Sequence, residues 1–212
     1  QDHEGTDITF GTLTGYPCCF SNMHQGWPKF TQHLWYATPD NGIAAFSYSP
    51  SEVTAKVGNN VSVVISEDTY YPMDNRISFT IKEVKNKTKQ VEFPLHLRIP
   101  KWCKRAEIIV NGKAEQYIEG GRIAVINRIW KRNDNVELHL PMEVSTSTWY
   151  ENAVTIERGP LVYALKIKEN WKKENLNNSW YGPHYYQVTS SEPWNYGLVD
   201  FDRSQVNKIA QV

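Results

Sequence analysis

Two cysteines stand side by side at Cys18-Cys19, within Gly15-Tyr16-Pro17-Cys18-Cys19, immediately ahead of a segment with helical spacing. A thiol near a helix N-terminus is acidified, because the oriented backbone amides favour the thiolate. The thiolate is both the form that binds zinc and the form that attacks carbon. Two neighbouring thiols supply only part of the tetrahedral shell zinc takes, so a metal here needs donors from elsewhere. The spacing alone equally admits a buried, inert pair or a strained disulfide between neighbours. Cys103, in Pro100-Lys101-Trp102-Cys103, has no partner at ligand spacing and reads as a packing residue. Three cysteines, two of them adjacent, make no disulfide framework.

Other side chains with chemical capacity have plainer readings beside them. His24 and His33 lie nine residues apart, roughly 900° around a helix and so on opposite faces. His24 is close enough to the cysteines to line a pocket, against which stands a capping or core role. Trp27 and Trp35 fit a helix packed on the core better than a sugar platform. Asp74, in Tyr71-Pro72-Met73-Asp74, reads as a turn former. Glu157 and Arg158, before Gly159-Pro160, read as a local ion pair. Asn60, Asn86 and Asn177 begin glycosylation-type triplets, which carry no meaning in a bacterial chain.

The elements that must hold these residues change character along the chain. Residues 1–20, rich in Gly, Thr and Pro, read as loop. Met23, Trp27, Phe30 and Leu34 then recur at helical spacing, with Ser21 or Asn22 as cap. Pro28 is expected to kink or restart that helix, since it lacks a donor and clashes with the preceding turn. From Gly42 the period becomes two. Phe93, Leu95, Leu97 and Ile99 alternate with polar residues, as do Val136, Leu138 and Leu140. Pro94 puts the first of these strands at an edge or bulge. Val110-Asn111-Gly112-Lys113 reads as a strand entering a hairpin turn. Further strands are expected at 43–49, 61–66, 76–84, 122–127, 144–149, 153–158 and 161–167, and residues 168–183 as an exposed loop. The fold class is mainly β, of sandwich or jelly-roll type.

Lys+Arg and Asp+Glu both number 23 in 212 residues. That balance lacks the basic footprint a nucleic acid or an anionic membrane surface requires. No apolar run approaches the ~20 residues of a membrane span. The first residues carry no signal-peptide pattern, which leaves the compartment open: secreted, periplasmic or cytoplasmic. Aromatic residues make up 13% of the chain, with eight Trp and twelve Tyr. They suit sugar stacking as well as β-sheet cores, so they fit two functions equally: a carbohydrate-active enzyme and a non-catalytic sandwich that binds sugar or braces a neighbour.

Several strings together resemble glycoside hydrolase family 127, the β-L-arabinofuranosidase family. They are Gly15-Tyr16-Pro17-Cys18-Cys19, Asn22-Met23-His24-Gln25-Gly26-Trp27-Pro28, Tyr71-Pro72-Met73-Asp74 and Leu97-Arg98-Ile99-Pro100-Lys101-Trp102-Cys103 with Val110-Asn111-Gly112. Leu140-Pro141-Met142, Glu157-Arg158-Gly159-Pro160-Leu161-Val162-Tyr163 and Pro193-Trp194-Asn195-Tyr196-Gly197-Leu198 complete the series, in order across most of the chain. The resemblance implies an (α/α) barrel followed by β-sandwich domains. Residues 1–40 would be the last, helical remnant of the barrel, 41–145 a sandwich, and 146–212 a second β-rich segment. It further implies that Cys18 is the nucleophile, and that Cys18 and Cys19 hold zinc together with an upstream Glu-x-Cys pair. A retaining glycosidase needs a nucleophile on one face of the sugar and an acid on the other. The upstream pair and the acid have no counterpart in these 212 residues. The expectation is therefore a chain inactive alone, completed by the N-terminal barrel of the same protein and acting with it on plant-type, arabinose-containing glycans.

Overall fold

The computed structural model of the protein describes residues 9–10, 22–175, 184–193 and 195–197. These fall into two compact units: residues 31–163 form the larger, and the described residues among 1–30 and 164–201 the smaller. The larger unit contains a β-sandwich. One sheet has four strands: β2 (Trp35–Ala37), β3 (Ile43–Ala45), β7 (Gln90–Ile99) and β10 (Arg122–Lys131), in the order β10-β7-β3-β2. The other has six: β4 (Ser51–Val57), β5 (Val61–Thr69), β6 (Arg76–Lys85), β8 (Arg105–Val110), β9 (Lys113–Glu119) and β11 (Asn135–His139), in the order β4-β5-β6-β11-β8-β9.

The period-two patterning builds the core between the sheets. β7 turns Val91, Phe93, Leu95, Leu97 and Ile99 inward, and β6 contributes Ile77, Phe79 and Ile81. Ala124, Ile126 and Trp130 come from β10, with Val136 and Leu138 from β11. Each such large side chain stabilises the fold by ~1.5–3 kcal/mol when fully buried. Trp130 is wholly buried, and its indole N–H donates to the Phe93 carbonyl at 2.9 Å, so the one polar atom it brings inside is satisfied. Cys103 is a free thiol in this core, as its reading as a packing residue expects, and burial raises its pKa.

Pro94 lies in β7, an interior strand, yet the expectation of an edge is met locally. β3 pairs with β7 only from Ile43↔Leu95 to Ala45↔Leu97, so at Pro94 strand pairing is confined to the β10 side. The Asn111-Gly112 turn forms as expected, with both residues at positive φ (50° and 78°), the type I′ geometry that suits strand twist. The strand this hairpin demands, β9, was not anticipated from its own residues, and neither was β4. Both flank the six-stranded sheet, where few apolar side chains are needed.

Beyond the sandwich, β12 (Val144–Thr148), β13 (Val154–Arg158) and β14 (Leu161–Val162) form a three-stranded antiparallel sheet. In the smaller unit, β1 (Thr9–Phe10), β15 (Asn170–Asn175) and β16 (His184–Thr189) form another, in the order β1-β16-β15. Part of the stretch expected as loop is thus strand: β15 pairs with β16 from Asn170↔Thr189 to Asn175↔His184. The expected helix is short. α1 runs Gly26–Gln32 and takes Pro28 into its first turn, where the missing N–H has no intrahelical partner to lose. No helix among the described residues is long and apolar enough to cross a membrane.

Candidate functional site

Cys18 and Cys19, the expected nucleophile and zinc ligands, lie outside the described residues. Among the described residues, no three His, Cys, Asp or Glu side chains converge to hold a metal ion. The described part of the chain therefore supplies no ligand set of its own.

The residues that follow the cysteine motif are placed differently from expectation. His24 is exposed in the turn before α1 and His33 follows its last residue, so neither rides on the helix and the opposite-face argument lapses. His33 instead stacks on Tyr36, with ring centroids 5.8 Å apart and Nδ1 at 3.0 Å from the phenol oxygen. Trp27, expected in the core, is 75% exposed, because this seven-residue helix buries none of its residues. Trp35 does face the core side. It meets Phe79 edge-on at 5.8 Å and donates from its indole to Ser51 Oγ at 3.0 Å.

Two of the family-like strings, whose aromatic members Tyr71 and Trp102 lie 31 positions apart, meet in space around Tyr71. Burial pushes the Tyr71 phenol up, while Arg98 and the Trp102 indole hydrogen bond to it. Tyr48 packs edge-on against Tyr71 at 5.8 Å and donates to the Arg98 carbonyl at 2.6 Å; burial raises its pKa as well. Behind them sits Glu67, an acid 3% exposed and one that sequence reading missed. Burial pushes its pKa up to about 8, against hydrogen bonds from Ser49 N–H at 2.9 Å and Ser51 Oγ at 3.5 Å. The signal was present: Glu67 continues the inward series Val63, Ile65 of β5. Tyr48 and Glu67 are closed to solvent while Tyr71, Arg98 and Trp102 are half-buried over them, so the cluster acts as a brace with its carboxyl covered.

Asp74 caps its own turn, as expected, accepting the Asn75 N–H at 2.6 Å. Asn86, in one glycosylation-type triplet, ties its side-chain amide to the Gln90 carbonyl at 2.7 Å. Glu157 does not pair with Arg158. Successive strand residues point to opposite faces, and Glu157 accepts instead from Ser147 Oγ across the β12–β13 ladder at 2.6 Å. Also unanticipated is His96, which meets Asp40 at 2.9 Å; a hydrogen bond from Thr38 is the main cause holding the Asp40 carboxyl below its usual range.

Residues 42–142 match the profile of the β-L-arabinofuranosidase GH127 middle domain. Among solved structures, the chain is similar to a GH127 β-L-arabinofuranosidase from Geobacillus stearothermophilus T6, at 26% identity and a TM-score of 0.61 over 74% of this chain. It also shares its fold with a glycoside hydrolase (24% identity, TM-score 0.66, 91% of this chain) and with a GH127 β-arabinofuranosidase (20% identity, TM-score 0.59, 82% of this chain). The chain spans 28%, 36% and 32% of those three chains respectively. No curated protein matches it.

Proposed function

From the match of residues 42–142 to the GH127 middle domain, we propose that the protein is part of a glycoside hydrolase cleaving β-L-arabinofuranosidic bonds, with its sandwich set behind a catalytic barrel. The observation that carries this reading is the profile match across the sandwich core. The identity to the Geobacillus enzyme supports the substrate class. The family-like order of strings from Gly15 to Leu198 extends the support beyond the matched domain.

In this reading Cys18 is the nucleophile, and Cys18 and Cys19 hold zinc with donors outside these 212 residues. Bound zinc would keep the sulfur deprotonated near neutral pH. The sandwich does no chemistry here. Its half-buried aromatic and arginine brace keeps the Tyr71 and Trp102 segments fixed, and the general acid must come from the barrel.

The test is to measure zinc per chain and hydrolysis of an aryl β-L-arabinofuranoside by the parent protein, then repeat with Cys18→Ser and Cys19→Ser. Both variants are expected to lose metal, and Cys18→Ser to lose activity by a factor of at least about a thousand, as removal of a nucleophile does. Unchanged zinc and unchanged turnover in both would remove the mechanism. The 212-residue chain alone is expected to release no aryl group; measurable release would overturn that part of the reading.

A further inference from the structure

The outer face of the six-stranded sheet carries an ordered row that the brace and the cysteine chemistry leave unused. Antiparallel pairing sets Arg76, His139, Glu107 and Tyr117 directly opposite one another across β6, β11, β8 and β9. Directly opposed residues of a pleated sheet share a face, so the four side chains form one line. Glu137, two positions from His139 on β11, bridges the line, at 3.5 Å from Arg76 and 3.2 Å from His139. Glu107 lies 4.0 Å from His139 and accepts the Tyr117 hydroxyl at 2.8 Å. Arg105 covers one side of the Tyr117 ring at 4.5 Å, and the ring is 54% exposed.

At the opposite end the row runs into a hollow of about 180 Å³ lined by Asp68, Thr69, Tyr70, Asp74 and Arg76. Tyr70 stands beside it 82% exposed, the most exposed large apolar or aromatic side chain but one on the described surface. Neither Asp68 nor Asp74 forms an ion pair among the described residues, so their carboxylates face solvent with accepting capacity to spare. From the Tyr70 hollow to Tyr117 the row crosses four strands, a path of ~15–20 Å at ~4.8 Å per strand.

We propose that this face binds a neutral oligosaccharide, laid across the strands from Tyr70 to Tyr117. The chemistry commits to that occupant. Exposed tyrosine rings at both ends offer flat apolar surfaces to the C–H faces of sugar rings. Carboxylates, an imidazole and guanidinium groups between them pair vicinal hydroxyls as acceptors and donors. The cations on the row are matched by Glu107 and Glu137, and Asp68 and Asp74 add uncompensated acid, so an anionic ligand is repelled. The choice of sugar over another neutral polyol rests on the glycoside hydrolase reading; the site does not depend on the cysteine mechanism.

The experiment titrates the ¹⁵N-labelled 212-residue chain with arabino-oligosaccharides and, separately, xylo-oligosaccharides of increasing length, followed by amide shifts and by calorimetry. Affinity is expected to rise with length until the ligand reaches both rings. Tyr70→Ala and Tyr117→Ala are each expected to weaken binding about tenfold, the effect of losing one aromatic platform. Tyr36→Ala, on the four-stranded sheet, is expected to leave it unchanged. No shifts at residues 68–76, 107, 117 or 139 with any sugar would overturn the proposal, as would equal weakening by Tyr36→Ala. The readout is binding by this chain, so a parent protein without hydrolytic activity would sink the enzymatic reading and leave the face standing, and the reverse holds too.

Discussion

Glu67 owes its unusual acidity to where alternation puts it. β5 sends Val63, Ile65, Glu67 and Thr69 to the same side, and three of those positions are suited to burial while the fourth is an acid. With a folded pKa of about 8 and an ordinary value near 4.5, the folded chain keeps a proton that the unfolded chain has released anywhere between the two. Stability is therefore expected to fall as pH rises from about 4.5 to about 8, by at most ~1.4 kcal/mol per unit, and to level off above. Glu67→Gln keeps an acceptor for the Ser49 N–H and cannot ionise. Urea unfolding at both ends of that range is expected to show a sloped wild type and a flatter variant; parallel curves would mean that another group governs the dependence. Alternation along β5 carried the signal for this residue, although sequence reading missed it. Cys103, between β7 and β8, was legible instead as a packing residue from its lack of a partner at ligand spacing. The thiol pair is the reverse case: its motif is legible, but Cys18 and Cys19 lie outside the described residues.

Turns decide how the strands are joined, and two glycines test that. Gly112 has open space around it and needs only its positive φ, so Gly112→Ala is expected to cost roughly 1–2 kcal/mol, the strain of a left-handed residue. Gly120 lies in the β9–β10 connection, where a Cβ would fall 2.1 Å from the Cys103 carbonyl oxygen and 2.6 Å from that of Pro100. The 100–103 turn beneath it is itself closed by Cys103 N–H to Pro100 C=O at 3.1 Å, so it has little freedom to retreat. Gly120→Ala is expected to destabilise more than Gly112→Ala, and thermal melts of the two variants would check the order. Equal melting points would show that the turn yields. The interior strands were legible because both their packing and their register demand alternating apolar residues. β4 and β9 were not, because a flanking strand with one sheet neighbour survives on Ala, Val and Ile at alternate places among charged residues. α1 misled for a related reason: its apolar spacing is helical, but a helix of this length presents no buried face.

At the scale of the molecule, every buried apolar residue of the described chain lies between Leu34 and Leu140. A fragment covering 31–163 contains that whole core, so it is expected to unfold in a single cooperative transition close to that of the 212-residue chain, followed by circular dichroism in urea. A broad or early transition would mean that the smaller unit contributes to the core's stability. The sandwich itself was foreseeable from pattern alone; the division of the remaining residues was not, since short strands such as β14 and β15 carry almost no period. The strands bounding the larger sheet have a last consequence. β4 offers Glu52 and Lys56 along its free margin, and β9 offers Lys113, Glu115 and Glu119. An intruding polypeptide seeking to extend the ladder would have to strip water from those charges first. The sheet is in this way guarded at both borders against polymerising with its own kind, which favours dispersed molecules in concentrated solution.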